Sequence, residues 1–236
     1  VSRRPIVAID YGHGGIIDGQ YQTPGAKQYT FTDHDGHWIG EGITNRKIAA
    51  HAIRYLLEAD VVVVDCVAGV CWDRAPDWVE LEQRDIPLAE RVRVANEADP
   101  HLFVSMHSNA IGDGLRGPSR APAGVSFFTS PGQTVADEFA SLFYECFQDG
   151  PQTLKMRRGH WGDGDVDWEA GFYVLRKTRC PAVLGEVGFF TNIGDARYLQ
   201  SERGQRAIGW CYAWAVLWAV GGHGRALQHK QSQPKH

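Results

Sequence analysis

Apolar residues along this chain fall into two rhythms. Short unbroken runs recur at residues 6–9, 61–64, 102–104, 125–128, 172–175 and 182–184. Runs this short and this rich in Val, Leu, Ile and Phe read as buried strands. Between them the period changes. Ile48, Ala49, Ala52, Ile53, Leu56 and Leu57 recur at helical spacing. So do Leu88, Val92 and Ala95, and again Val135, Ala136, Phe139, Leu142, Phe143, Cys146 and Phe147. An apolar, tryptophan-rich stretch over residues 203–220 gives a last helix. Asp85 and Pro87 are placed to open the second of these helices. Strands alternating with helices predict an α/β fold, a single domain with a mixed, mostly parallel sheet of about six strands flanked by helices.

Segments 14–40, 111–123 and 150–170 break both rhythms with Gly, Pro, Asp and other polar residues, and read as loops. Loops of that length in a compact domain are usually functional or mobile. The polar end, residues 223–236, reads as a tail, which leaves residues 1–222 as the domain.

Composition narrows the function. A hydrophobic share of 43% and a charged share of 22% are ordinary for a globular chain. With 236 residues the core is large enough to fold without disulfides or a structural metal, so a bound metal would do chemistry. The net charge of −4, with no Lys or Arg block, argues against nucleic acid and anionic membranes as partners. Residues 207–220 fall short of the roughly 20 apolar residues of a transmembrane helix. Residues 1–5 lead straight into the first strand and carry no apolar core of a signal peptide. None of the five cysteines forms a C-x-x-C pair, which excludes a cysteine zinc knuckle. They read as small buried hydrophobes, with a Cys66–Cys71 bond left open.

Four ionisable residues stand where chemistry gathers. His13 lies just past the strand at 6–9, His107 ends the run from Leu102, and Glu186 ends the run from Ala182. In open α/β sheets, ligands collect beyond the carboxyl ends of the strands. Glu41 precedes a helix whose N-terminus would face the same rim. Two imidazoles and a carboxylate make a common protein ligand set for catalytic zinc, with a position left for water. A second carboxylate beside that water could take its proton and return it to a leaving nitrogen. A histidine after a strand is also often structural, and residue type alone leaves both readings standing.

Longer motifs carry a resemblance. His13-Gly14-Gly15 follows a strand, and Glu41 leads Asn45-Arg46-Lys47-Ile48-Ala49. Leu88-Ala89-Glu90-Arg91-Val92, Ala95-Asn96 and Ala98-Asp99 come next, before Leu102-Phe103-Val104-Ser105-Met106-His107-Ser108-Asn109-Ala110. Val174-Leu175-Arg176 and Pro181-Ala182-Val183-Leu184-Gly185-Glu186-Val187-Gly188-Phe189-Phe190-Thr191-Asn192 complete the series. In that order these blocks resemble the zinc-dependent N-acetylmuramoyl-L-alanine amidases of the type 3 family. The resemblance implies a catalytic domain with one zinc at the carboxyl-end rim of the sheet. His13, Glu41 and His107 would be its ligands, and Glu186 the catalytic carboxylate. It implies peptidoglycan as the partner and hydrolysis of the amide joining N-acetylmuramic acid to L-alanine. The setting would be the cell wall, reached as a periplasmic or extracellular enzyme or as a phage lysin made in the cytoplasm.

Other positions carry weaker expectations. Asn109 would touch substrate or brace its loop, and Arg176 would bind a peptide carboxylate or form an ion pair. Tyr11 replaces the family's usual proline and would loosen the turn or line the cleft. The segment 16–40 is longer than the family pattern, and His34 or His37 within it could displace an assigned ligand. His160, Trp161 and Trp168 would suit sugar stacking or core packing. No apolar helical repeat lies between Phe147 and Phe172, where some periplasmic relatives carry a self-inhibiting helix, which implies an open site. The competing readings are a zinc peptidase acting on the stem peptide, and a non-catalytic wall-binding or phage structural protein. The absence of a G-x-S-x-G elbow disfavours a serine hydrolase.

Overall fold

The first strand, β1 (Ile6–Tyr11), is buried from Val7 to Tyr11 and serves as one of the central staves of a larger sheet. The computed structural model describes residues 4–159 and 164–221, so the expected tail and His160 and Trp161 lie outside the described residues. After β1 come β2 (Gln28–Phe31), β3 (Trp38–Gly40), α1 (Glu41–Glu58), β4 (Val62–Asp65) and β5 (Val70–Trp72). Then follow α2 (Leu88–Ala98), β6 (Leu102–Asn109), β7 (Arg116–Gly117), β8 (Val125–Thr129) and α3 (Val135–Asp149). The chain closes with β9 (Trp168–Glu169), α4 (Tyr173–Lys177), β10 (Ala182–Phe189), α5 (Ile193–Gln200) and α6 (Glu202–Ala219).

Seven strands form the main sheet in the order β5-β4-β1-β6-β10-β8-β9. Its centre, β4, β1, β6 and β10, is parallel, while β5 and β8 pair antiparallel with β4 and β10. Side chains alternate between the two faces of a strand. Val7, Ile9 and Tyr11 of β1, with Leu102, Val104 and Met106 of β6, therefore share the core against α1, α3 and α6. Ala8, Phe103, Ala182 and Leu184 face the other way, against α2 and the short α4. His107 and Glu186 have the parity of this second face.

That second face also holds a fully buried guanidinium. Arg91 of α2 lies 2.7 Å from Asp10 Oδ1 and 3.4 Å from Asp85 Oδ1, and its Nε donates to the Ile86 carbonyl. The other Asp10 oxygen accepts from Ser105 Oγ at 2.6 Å. Burial works against the Asp10 carboxylate, but Arg91 overrides it and holds the pKa below the usual range. The pairing explains how three charged side chains sit in a core region without penalty from unpaired charge.

Several elements depart from the sequence expectation. Residues 172–175 do not form a strand: four apolar residues fit either period, and here Val174 and Leu175 are buried on one side of α4 while Phe172 and Tyr173 are exposed. The segment 14–40 is not a loop throughout. Tyr29 and Phe31 alternate with half-buried Gln28 and Thr30, and β2 pairs with β3 and β7 in a separate three-stranded sheet. Strands β5, β7 and β9 and helix α5 were unanticipated, β7 and β9 lying in segments read as loops. Asp85 does not cap α2, whose N-cap is Pro87 without a side-chain cap. All five cysteines are free thiols; Cys66 is buried and Cys71 exposed. Among the described residues no helix lies between α3 and α4, and no helix is long and apolar enough to cross a membrane.

Removing Arg91 leaves two buried carboxylates without their cation. Arg91→Met is expected to lower unfolding stability by about 3–5 kcal/mol, read by urea denaturation; a change below about 1 kcal/mol would mean water already satisfies Asp10 and Asp85.

Candidate metal centre

The carboxyl ends of β1 and β6 are adjacent in the sheet, so the residues just past them meet. His107 is the sixth residue of β6, and His13 follows β1 after a single glycine. His13 adopts the left-handed conformation at φ 57°, which turns the chain sharply beyond the strand. The two imidazoles meet edge to face with centroids 4.9 Å apart. Gly12 makes this approach feasible. A Cβ there would sit 1.9 Å from His107 Cε1, inside the ring's own volume.

Glu41 arrives from the other layer. It is the first residue of α1, delivered by the β2–β3 hairpin, and its backbone N–H donates to the Lys27 carbonyl. A Cβ on Gly42 would lie 2.9 Å from the His13 carbonyl, so only glycine lets the start of α1 pack this closely. The carboxylate is 2% exposed and split in its duties. Its Oε1 accepts from the Ser108 N–H at 3.0 Å and from Asn45 Nδ2 at 3.3 Å, and lies 3.1 Å from His107 Nδ1. Its Oε2 lies 3.4 Å from His13 Nε2. Asn45, one turn along α1, also donates to the Gly12 carbonyl and so ties the helix to the turn.

One ligand atom from each of His13, Glu41 and His107 lies within 4.8 Å of the others. Two nitrogens and one oxygen, mostly buried and converging, are a donor set that suits zinc. Glu186 stands beside them: it is the register partner of His107 across β6 and β10, on the same face. Its Oε2 is buried without a hydrogen-bond partner. A carboxyl oxygen left bare at a cluster of ligating groups fits a site that takes in a cation and a polar reactant.

The electrostatics divide the four groups. Burial pushes the His13 imidazole down to about 4, only partly opposed by Glu41. Burial acts against the charge on His107 too, but its hydrogen bond to Glu41 and that carboxylate's charge lift its pKa above the ordinary value. Glu41 is pulled below the usual carboxylate range, because His13, His107 and the Ser108 N–H outweigh burial. Burial pushes Glu186 up to about 8, with His107 opposing and Glu41 adding to the rise. In the metal-free protein the pocket thus holds a neutral His13, an ionised Glu41 and a Glu186 that retains a proton near neutrality.

The remaining candidates lie elsewhere or act differently. Tyr11 does not line a cleft: it is fully buried, donates to Asp65 Oδ2 at 2.8 Å and accepts from the Glu82 N–H. Asn109 Oδ1 accepts from the Ala110 N–H, and its carbonyl accepts from Phe190. Arg176 is exposed on α4, ahead of the amino end of β10, while Glu186 lies towards the carboxyl end. His37 bonds Gln200 Oε1 at 2.7 Å and His34 packs near Phe31, so neither joins the cluster. Trp168 packs against Phe128, with Arg157 over its ring. Thr23, whose Oγ1 lies 2.8 Å from His13 Nδ1, was missed inside a segment read only as loop.

Comparison with known proteins agrees with this architecture. A family model described as N-acetylmuramoyl-L-alanine amidase matches residues 7–217. An uncharacterised protein of Bacillus subtilis (strain 168) is 29% identical over 205 residues, covering 85% of this chain and 77% of its own. A germination-specific N-acetylmuramoyl-L-alanine amidase from the same organism is 22% identical over 210 residues, covering 86% and 74%. The crystal structure of an N-acetylmuramoyl-L-alanine amidase from Clostridium difficile 630 superposes with a TM-score of 0.65 at 21% identity. It covers 99% of this chain and 100% of its own.

Gly12→Ala is expected to displace the His107 ring and break its contact with Glu41, at a cost of about 1–3 kcal/mol. The shift would show in the imidazole resonances of His107 by NMR; unchanged resonances would mean the strand end yields instead of the ring.

Proposed function

Because this chain belongs to the N-acetylmuramoyl-L-alanine amidase family, a family of metal-dependent hydrolases, we propose that His13, Glu41 and His107 hold one zinc ion and that Glu186 is its catalytic carboxylate. The substrate is peptidoglycan, and the bond cut joins the lactyl carbonyl of N-acetylmuramic acid to the nitrogen of L-alanine. The observation that carries the residue assignment is the bare, buried Oε2 of Glu186 beside three converging ligand atoms. When bound, zinc would make water at the site acidic enough to ionise near neutral pH and would polarise the carbonyl under attack.

The protein's own groups do the rest. Glu186 takes the proton of the attacking water at its carboxylate as the water oxygen bonds to the carbonyl carbon. It gives that proton to the alanine nitrogen as the carbon–nitrogen bond breaks, so the products are a lactyl acid and a free amine. Burial raises the Glu186 carboxyl to about 8 in the metal-free pocket, and a bound cation would favour its ionised form, so that it can first accept the proton and then return it. Glu41 is fixed by Ser108 and Asn45 and balances charge in the pocket without moving. The domain responsible spans residues 1–222, and it acts at the cell wall, whether as an exported enzyme or as a lysin.

Glu186→Gln is expected to reduce turnover by at least about 10²-fold while leaving close to one zinc per chain. His13→Ala should lose both. Metal analysis combined with mass spectrometry of digested peptidoglycan reads these outcomes. Loss of zinc in Glu186→Gln would make that residue a ligand, and cuts inside the stem peptide would change the bond assigned.

A further inference from the structure

His13 has two ring nitrogens, and only one can face a metal. A metal-ligating imidazole is neutral, with one N–H and one lone pair, so the partner of the second nitrogen decides what the first can offer. Here Nε2 points towards Glu41 and Nδ1 towards Thr23 Oγ1. Thr23 is itself buried, and its hydroxyl carries a single proton.

The destination of that proton follows from its surroundings. Asp85 approaches Thr23 Oγ1 with both carboxylate oxygens, at 2.8 and 2.9 Å. Every other group on Asp85 is a donor. The Gln22 and Thr23 N–H groups reach its Oδ2 at 2.8 Å each, and Arg91 Nη2 lies 3.4 Å from its Oδ1. Among donors on all sides, Asp85 acts as acceptor and receives the hydrogen bond of the Thr23 hydroxyl. The Thr23 oxygen then has nothing but lone pairs to offer His13, so Nδ1 must carry the imidazole hydrogen.

We propose that Thr23, oriented by Asp85, is a positioning residue that locks His13 in its Nδ1–H tautomer and thereby presents the Nε2 lone pair to the zinc site. The inference rests on the zinc reading above and adds to it the device that prepares one ligand before the metal arrives. The device is anchored at both ends. On one side Lys27 Nζ donates to the carbonyls of Thr23, Pro24 and Gly25 at 2.9, 2.9 and 3.0 Å, closing the turn that carries the hydroxyl. On the other, Arg91 passes from Asp85 to Asp10, which Ser105 also holds. Asp10 precedes His13 on β1 and Ser105 precedes His107 on β6, so the relay ends on the two strands that deliver both histidines.

Thr23→Val keeps the shape and removes the hydroxyl, while Thr23→Ser keeps the hydroxyl. The zinc dissociation constant, measured by competition with a chromophoric chelator, is expected to weaken about 10–100-fold in Thr23→Val and to recover to within about threefold of wild type in Thr23→Ser. The metal-free Thr23→Val variant should still unfold cooperatively, with a thermal midpoint lowered by the lost bond to buried Asp85, and Thr23→Ser should stay close to wild type. Nitrogen-15 NMR of His13 in the metal-free wild-type protein should show Nδ1 protonated, a measurement that does not depend on any variant folding. Wild-type affinity in Thr23→Val, equal losses in the Val and Ser variants, or an Nε2–H tautomer would each overturn the proposal. Failure of the wild-type protein to bind zinc, or unchanged binding in His13→Ala, would instead remove the zinc reading on which it stands.

Discussion

A guanidinium with no access to water must have its charge answered on the spot, and Arg91 meets that demand with two carboxylates and a carbonyl. The pairing fixes more than its own members. Asp10 belongs to β1, Asp85 to the segment ahead of α2, and Ser105, which also binds Asp10, to β6. A helix on one face of the sheet is thereby tied to the two strands whose ends carry His13 and His107. A buried ion pair of this kind adds little to net stability over a well-packed apolar core, because desolvation offsets attraction. What it adds is position, since two acids cannot drift from a cation they cannot do without.

The charges of the pocket are arranged by the same logic of forced pairing. Glu41 sits at the start of α1, where the exposed N–H groups of a helix favour negative charge; Asn45 and the Ser108 N–H donate to its Oε1, and His107 Nδ1 lies 3.1 Å from the same oxygen. Glu186, one strand away, has no donor at its Oε2. Two carboxyl groups in one pocket therefore have opposite tendencies, one held ionised and the other left reluctant to ionise. That contrast, not the presence of acids as such, is what suits Glu41 to the binding role and Glu186 to the proton-transfer role proposed for them.

Much of this was legible in the sequence. Uninterrupted Val, Ile and Phe runs located β1, β4, β6, β8 and β10, because strands buried on both faces leave no room for polar residues. The four central residues could be picked out because each follows or ends such a run, or opens a helix. The failures have physical causes. Residues 172–175 form too short a run to display a period, so helix and strand were indistinguishable there. The hairpin of β2 and β3 alternates only four residues deep, and its polar turn dominated the reading. Tyr11 looked like a cleft residue because its position was odd for the family, whereas strand parity turns it into the core beneath α1. Thr23 and Asp85 were invisible as partners because they lie far apart in sequence and carry common turn residues.

The pairing of β6 with β10 sets His107 opposite Glu186, with parallel strands about 4.8 Å apart. A slip of one residue between these strands would keep a comparable ladder of backbone hydrogen bonds but turn Glu186 to the opposite side of the sheet. Spectroscopic helix and strand content would hardly notice, and the burial of Val, Leu and Phe would be only partly upset. The sheet is thus a ruler as well as a scaffold. A molecule can be folded by every bulk criterion and still be measured wrongly, so chemical competence becomes the most demanding assay of whether this chain has closed in its native alignment.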